Sequence, residues 1–253
     1  MSSTRDLSGR RVLVTGASSG LGAATCRAIV REGGSVAMLA RRKQRLDALA
    51  EELGDRAVAL PCDVTDLAAL ESSVNEAAEL LGELDAVVAV AGRMMAGGIA
   101  TGTPDRWREL IELNLVAPLS TVRFATARLS ASGRRDIVII GSTGAITPMP
   151  GVGIYGASKR GLEAAFDSLR LELAPSGVNV SLVMPGMFET EGLTMEGVIV
   201  DGDVPASEAP MFVEGGGPAP PESLADCITF IMSLPDGVCV NELVVRPTGQ
   251  LIP

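Results

Sequence analysis

The chain contains no histidine. That removes the usual zinc sites and every Ser-His-Asp or Cys-His hydrolase arrangement. Acid–base chemistry is left to Tyr, Lys, Asp, Glu or Cys. Tyrosine and lysine are themselves scarce. There is one tyrosine, Tyr155, and two lysines, Lys43 and Lys159; the other 19 cations are arginines. Basic residues are outnumbered, 21 Lys and Arg against 31 Asp and Glu, for a net charge of −10. A surface that acidic repels phosphate backbones, so nucleic acid is not an expected partner. No apolar run approaches the ~18 residues of a transmembrane helix. The opening stretch MSSTRDLSGRR carries no apolar signal segment, so no membrane partner is expected and the cytoplasm is the expected location. The four cysteines, Cys26, Cys62, Cys227 and Cys239, form no C-x-x-C pair and read as buried free thiols. No metal site is expected.

What is present is an alternation of strand-like and helix-like stretches over 253 residues, 47% of them apolar. Strands are expected at Arg11–Thr15, Ser35–Ala40, Ala57–Pro61, Leu84–Val90, Asp136–Ile140, Val178–Met184 and Leu243–Arg246. Helices are expected at Gly20–Glu32, Arg42–Leu53, Asp66–Leu81, Pro104–Ser130 (bent at Pro118), Ile154–Leu173 and Pro221–Ser233. Strands apolar on both faces, alternating with helices, predict an α/β chain with a central parallel sheet of about seven strands covered on both sides. With right-handed crossovers this is the single-domain doubly wound (Rossmann) architecture. One stretch breaks the rhythm. Residues 186–220 are rich in Gly and Pro, hold seven acidic residues, and lie in a span with no cation between Arg170 and Arg246. A segment that long reads as a substrate loop or lid.

Three local patterns carry chemistry. The first is Thr15-Gly16-Ala17-Ser18-Ser19-Gly20-Leu21-Gly22, between the first strand and the first helix. Glycines there let the backbone approach a pyrophosphate, which the helix N-terminus attracts. The end of the second strand then discriminates between cofactors. An NAD site places Asp or Glu there for the ribose 2′-hydroxyl. Here the residues are Ala40-Arg41-Arg42, which suit a 2′-phosphate, so NADP(H) is expected rather than NAD. Asp63-Val64, ending the third strand, is placed for the adenine edge. The second pattern is Tyr155-Gly156-Ala157-Ser158-Lys159, which sets a phenol and an ammonium one helical turn apart. A neighbouring ammonium lowers a phenol's pKa, so Tyr155 is expected to be acidified by Lys159. The third is Ser142, thirteen residues before the tyrosine and just past the fifth strand, where ligands of open α/β sheets bind.

Together these residues resemble the short-chain dehydrogenase/reductase family, from about Gly9 to Arg246. TGASSGLG matches the family's TGxxxGxG. Ser142, Tyr155 and Lys159 match its catalytic serine and YxxxK. Asn114, in Glu112-Leu113-Asn114-Leu115, matches the asparagine that holds a water in the family's proton relay. Pro185-Gly186 followed by Thr190 matches a motif whose threonine helps hold the nicotinamide amide. The ending Val240-Asn241-Glu242-Leu243-Val244-Val245-Arg246-Pro247-Thr248 is similar to that of an NADP-dependent subgroup, the serine 3-dehydrogenases and clavaldehyde-type reductases. Ala89-Val90-Ala91-Gly92 departs from the pattern: Ala91 and Gly92 match the cofactor-side Ala-Gly, but the two preceding asparagines, which tie the central sheet together in the family, are absent.

The resemblance implies an NADP(H)-dependent oxidoreductase of the ketoreductase or alcohol dehydrogenase type. Ser142 would orient the carbonyl oxygen, Tyr155 protonate it, Lys159 bind the nicotinamide ribose, and Asn114 keep the relay water. A homotetramer or homodimer is implied, built through the helices near 104–130 and 154–173 and the last strand. Candidate pocket walls are Met94, Met95, Ile146, Met149, Met187, Phe188, Leu193, Met195, Met211 and Phe212. They suggest a small-molecule carbonyl substrate, medium-sized and apolar, such as a polyketide-like secondary-metabolite ketone. One rival is a 3-oxoacyl-carrier-protein reductase, with Arg123, Arg128, Arg134 and Arg135 as a docking patch. A rival of another class is a non-catalytic NADP-binding regulator or scaffold.

Overall fold

The computed structural model describes residues 5–131, 133–147, 149–193, 197–204 and 210–252. Its centre is a sheet of seven strands: β1 (Arg11–Thr15), β2 (Ser35–Ala40), β3 (Ala57–Pro61), β4 (Ala86–Ala89), β6 (Arg135–Ile140), β7 (Val178–Pro185) and β9 (Glu242–Val245). They run in the order β3-β2-β1-β4-β6-β7-β9, and every pairing is parallel. The order reverses direction between β1 and β4, which opens a crevice at the carboxyl ends of those strands.

Alternation along each strand feeds two cores. Val12 and Val14 of β1 and Val138 and Ile140 of β6 point to one side; Leu13, Ile137 and Ile139 point to the other. The first side is covered by α1 (Gly20–Arg31), α2 (Lys43–Leu53) and α7 (Pro221–Met232), through Cys26, Ile29, Leu46, Leu224 and Ile228. The second is covered by α3 (Leu67–Leu81), α5 (Ala117–Thr126) and α6 (Gly153–Leu173), through Leu70, Val74, Val122, Leu162 and Phe166. A parallel sheet needs both covers, which is why its strands are apolar throughout. Cys26 and Cys62 are buried and Cys227 and Cys239 half-buried; all four are free thiols.

One expectation needs correction. The long helix from Pro104 is three pieces: α4 (Pro104–Ile111), a π-helical turn over Glu112–Val116, and α5. Pro118 lies in the first turn of α5. It has no N–H to give the carbonyl of Asn114 four residues earlier, and its ring crowds that carbonyl. The helix therefore widens one turn before the proline, and Asn114 sits in the widened turn. The stretch 186–220, expected as a substrate loop or lid, carries short elements among its described residues. It contains a short 3-10 turn at Glu191–Leu193 and β8 (Ile199–Val200), which pairs in parallel with β5 (Met95–Ala96). Phe188 and Ala219 form a further bridge that brings its two ends together. Among the described residues no helix is long and apolar enough to cross a membrane.

Candidate active site

The crevice at the carboxyl ends of β1, β4 and β6 is a cleft of about 990 Å³. Every residue expected on the cofactor, from Gly16 in the glycine loop to Thr190 beyond β7, lines it, as does Ser142. Two glycines after β1 have no room for a side chain. Gly16 has φ 70°, and a Cβ on it would stand 3.0 Å from the Ala91 backbone. A Cβ on Gly22 would stand 2.2 Å from the Gly16 carbonyl oxygen. The N-cap residue of α1, Ser19, makes no side-chain bond back to the first helical turn. Gly20, Leu21 and Gly22 of that turn instead border the cleft, a cradle suited to a pyrophosphate.

Before Ala91, where the two asparagines are absent, the end of β4 is tied to the neighbouring strand. The buried Thr15 hydroxyl accepts the N–H groups of Val90 at 3.1 Å and Ala91 at 3.2 Å. This tie between β1 and the end of β4 was not foreseen, although Thr15 opens the glycine motif.

The proton-transfer candidates come from β6, the π turn and α6. Ser142 follows β6, and its hydroxyl accepts the Gly144 N–H at 3.1 Å. It also bonds the Tyr155 hydroxyl. Tyr155 is half-buried as a residue, yet its hydroxyl lies deep enough that burial raises its pKa; only the bond from Ser142 opposes this. The expected acidification by Lys159 is therefore not what the structure displays. The lysine's charge is directed elsewhere, with Nζ donating to the Ile140 carbonyl at 2.9 Å. Burial lowers the Lys159 pKa from 10.5 to about 8. Asn114 is fully buried behind the cleft wall. Its Oδ1 accepts the Arg93 N–H at 2.9 Å, and its Nδ2 donates to the Arg93 carbonyl at 2.8 Å and the Ser158 hydroxyl at 3.2 Å. Its Oδ1 and the Lys159 Nζ both lie against Gly92, 3.1 and 3.5 Å from where a Cβ there would be.

At the adenosine end Arg42 donates to the hydroxyls of Ser18 and Ser19. Its Nη1 meets Glu191 Oε2 at 2.7 Å, and Arg45 Nη1 bonds the other Glu191 oxygen. Arg41 is mostly exposed, with Nη1 3.8 Å from Asp63. Asp63 Oδ1 accepts the N–H and hydroxyl of Thr65. Arg45 and Glu191 were not anticipated. Their signals were the repeat of Arg one turn along α2 and the run of uncompensated acid after β7.

Of the expected apolar walls, Met94 and Phe188 line the cleft, joined by Leu113, Ile140 and Arg93. Met95 is buried in β5, and Ile146 is exposed. Met149 and Met187 are half-buried away from the cleft lining. Met211 and Phe212 pack instead against the C-terminal stretch at Leu251 and Gln250. Met195 and the side chain of Leu193 lie outside the described residues. The arginines offered as a docking patch are largely engaged internally. Arg134 is nearly buried against Asp136, Arg135 donates to the Ser176 carbonyl, and Arg128 faces Glu79.

Comparisons with known proteins match nearly the whole chain. The short chain dehydrogenase family model matches residues 10–196. The chain is 36% identical to a glycine betaine reductase of Emericella nidulans over 97% of its own length, although it spans only 19% of that much longer protein. It is 35% identical to sulfoacetaldehyde reductase 2 of Chromohalobacter salexigens, covering 94% of each chain. A short chain dehydrogenase from Burkholderia cenocepacia in complex with NADP superposes with a TM-score of 0.80 at 29% identity, over 95% of this chain and 97% of that one.

Proposed function

The chain belongs to the short-chain dehydrogenase family, and on that premise we propose that it is an NADP(H)-dependent oxidoreductase interconverting a carbonyl and a secondary alcohol on a medium-sized apolar substrate. The observation that carries this reading is the grouping of Ser142, Tyr155 and Lys159 at the end of β6, on the wall of a cleft floored by the glycine loop. When bound, the nicotinamide supplies or takes up the hydride. Ser142 holds the substrate oxygen with its hydroxyl. Tyr155, kept protonated at neutral pH by burial, gives that oxygen its proton as general acid. Lys159, still mainly an ammonium at pH 7 with a pKa of about 8, would bind the nicotinamide ribose. Asn114 holds the water that links the lysine to solvent. Gly16 to Gly22 would take the pyrophosphate, and Arg42, past the end of β2, would take a 2′-phosphate, which favours NADP(H) over NAD(H). Asp63 and Val64 would hold the adenine, and Pro185, Gly186 and Thr190 the nicotinamide amide; all five line the cleft. The same chain pairs as a homodimer or homotetramer, a reading supported by Val244 exposed on the edge strand β9 and Leu171 exposed on α6.

Tyr155→Phe tests the proton donor. Turnover should fall by about a thousandfold, from the usual contribution of general acid catalysis, while NADPH affinity stays within about twofold. Comparable turnover in the variant would falsify the assignment. Met94, Leu113, Ile140 and Phe188 favour an apolar body for the substrate. A second reading is favoured by Arg93, which lines the cleft beside Met94 with Nη2 donating to the Gly197 carbonyl at 3.2 Å. Its guanidinium suits a carbonyl substrate with an anionic end, the kind named for the Chromohalobacter relative. NADPH oxidation measured against apolar ketones and against short aldehydes bearing carboxylate or sulfonate separates the two readings.

A further inference from the structure

Glu191 follows β7, far along the chain from α2, yet its carboxylate is held between two guanidiniums there. Oε2 accepts from Arg42 at 2.7 Å, and Oε1 accepts from Arg45. Arg42 is fixed from its other side by the hydroxyls of Ser18 and Ser19 in the glycine loop. All five residues border the cleft where β2 ends. Arg41, the nearer neighbour of β2 in sequence, stands apart, mostly exposed and 3.8 Å from Asp63. Two oxygens of one anion on two guanidiniums is the arrangement that a phosphate monoester adopts.

We propose that Glu191 is a resident anion in the 2′-phosphate subsite, that Arg42 and Arg45 rather than Arg41 are the cations of that subsite, and that a 2′-phosphorylated cofactor binds by displacing the glutamate. This rests on the NADP(H) reading above. A phosphate carries about −1.5 to −2 charge at pH 7, against one for the carboxylate, so the exchange favours the phosphate. A cofactor with a bare 2′-hydroxyl brings no anion and leaves Glu191 in place. Glu191 therefore weakens binding of the phosphorylated cofactor selectively and sets how sharply the two are distinguished.

The test is titration calorimetry with 2′,5′-ADP and AMP, and with NADPH and NADH, on the folded full chain. Glu191→Gln should tighten 2′,5′-ADP and NADPH about three- to tenfold, the worth of two exposed ion pairs. AMP and NADH should stay within about twofold. Arg45→Gln should weaken the phosphorylated pair about tenfold and shrink the gain from Glu191→Gln, Arg42 still pairing with the glutamate, whereas Arg41→Gln should change it less than about twofold. Tight NADPH binding in the wild type with no change in Glu191→Gln overturns this proposal alone. Equal binding of NADPH and NADH in both proteins overturns it together with the NADP(H) reading. A gain in Glu191→Gln alongside full turnover in Tyr155→Phe leaves the subsite standing and removes the proton donor.

Discussion

Strand β6 meets buried charge at both of its ends, and the two ends treat it in opposite ways. At its start Asp136 is fully buried between Arg10, at 2.5 Å, and Arg134, at 2.8 Å. Burial pulls the Asp136 carboxyl pKa up, and the two guanidiniums only partly counter it. Arg134 also donates to the carbonyls of Ile231, Pro235 and Val238. Next to this cluster Arg11 grips Asp85 with two side-chain bonds of 2.8 Å. At the other end of β6 Lys159 is 6% exposed and donates to a carbonyl oxygen, with burial alone acting on its pKa. Charges that are buried in pairs hold elements together and are costly to separate. A charge buried without a counter-charge is poised to titrate, which is the mark of a working group. One sheet thus keeps its buried ion pairs at the amino ends of its strands and its chemistry at the carboxyl ends.

The contrast breaks most clearly at Asp136. Asp136→Asn leaves Arg10 and Arg134 buried without a counter-charge and should cost about 3 kcal/mol of stability. Urea unfolding measures this, and activity per folded molecule should stay within about twofold, the site being at the other end of the sheet. A loss under about 1 kcal/mol would mean that the carbonyl partners suffice and the ion cluster is ornamental. Lys159→Met should do the reverse. Replacing an unpaired buried charge with an apolar chain of similar length should leave stability within about 1 kcal/mol or raise it. Turnover should fall at least about a hundredfold. A variant that unfolds early would place Lys159 with the structural charges instead.

The sequence made the paired end harder to read than the working end. Ser142, Tyr155 and Lys159 stand out because residue types nearly absent elsewhere recur at fixed spacings. The strands of the sheet stand out because both faces are apolar. Asp136 looks like any acid before an apolar run, and its partners Arg10 and Arg134 give no local sign of meeting it. Glu191 and Arg42 lie 149 residues apart, beyond any periodicity. The π turn was half legible: Pro118 announces a break, but its position follows from which carbonyl loses its donor. Strands β5 and β8, two residues each, are too short to leave a pattern. The raised pKa of Tyr155 could not be read at all, because adjacency to Lys159 is written in the spacing while desolvation depends on everything packed around the hydroxyl.

A smaller test concerns the seam between the two halves of the sheet. Thr15→Val removes the acceptor for the Val90 and Ala91 N–H groups while keeping the shape. Leaving these half-buried donors unpaired should cost about 1 kcal/mol. NADPH affinity should weaken severalfold, because Ala91 packs against Gly16. If Thr15→Val unfolds like the wild type, the tie through Thr15 does not hold the seam together.

The mildest test uses pH alone. The Lys159 pKa of about 8 should appear in kcat/KM for NADPH, which reports groups of the free enzyme. Below pH 8 the ammonium is intact and the parameter should be flat. Above it the ammonium is lost, and kcat/KM should fall about tenfold per pH unit, following single-proton titration. Tyr155 does not confuse the assignment, because burial raises its pKa above the ordinary 10.0 and keeps the phenol protonated across that range. Lys159→Arg distinguishes the lysine from any other group. A guanidinium does not deprotonate there, so whatever activity survives should lose its alkaline limb. A limb near pH 8 that persists in Lys159→Arg belongs to another residue, and the unpaired charge at the end of β6 would then have no part in cofactor binding.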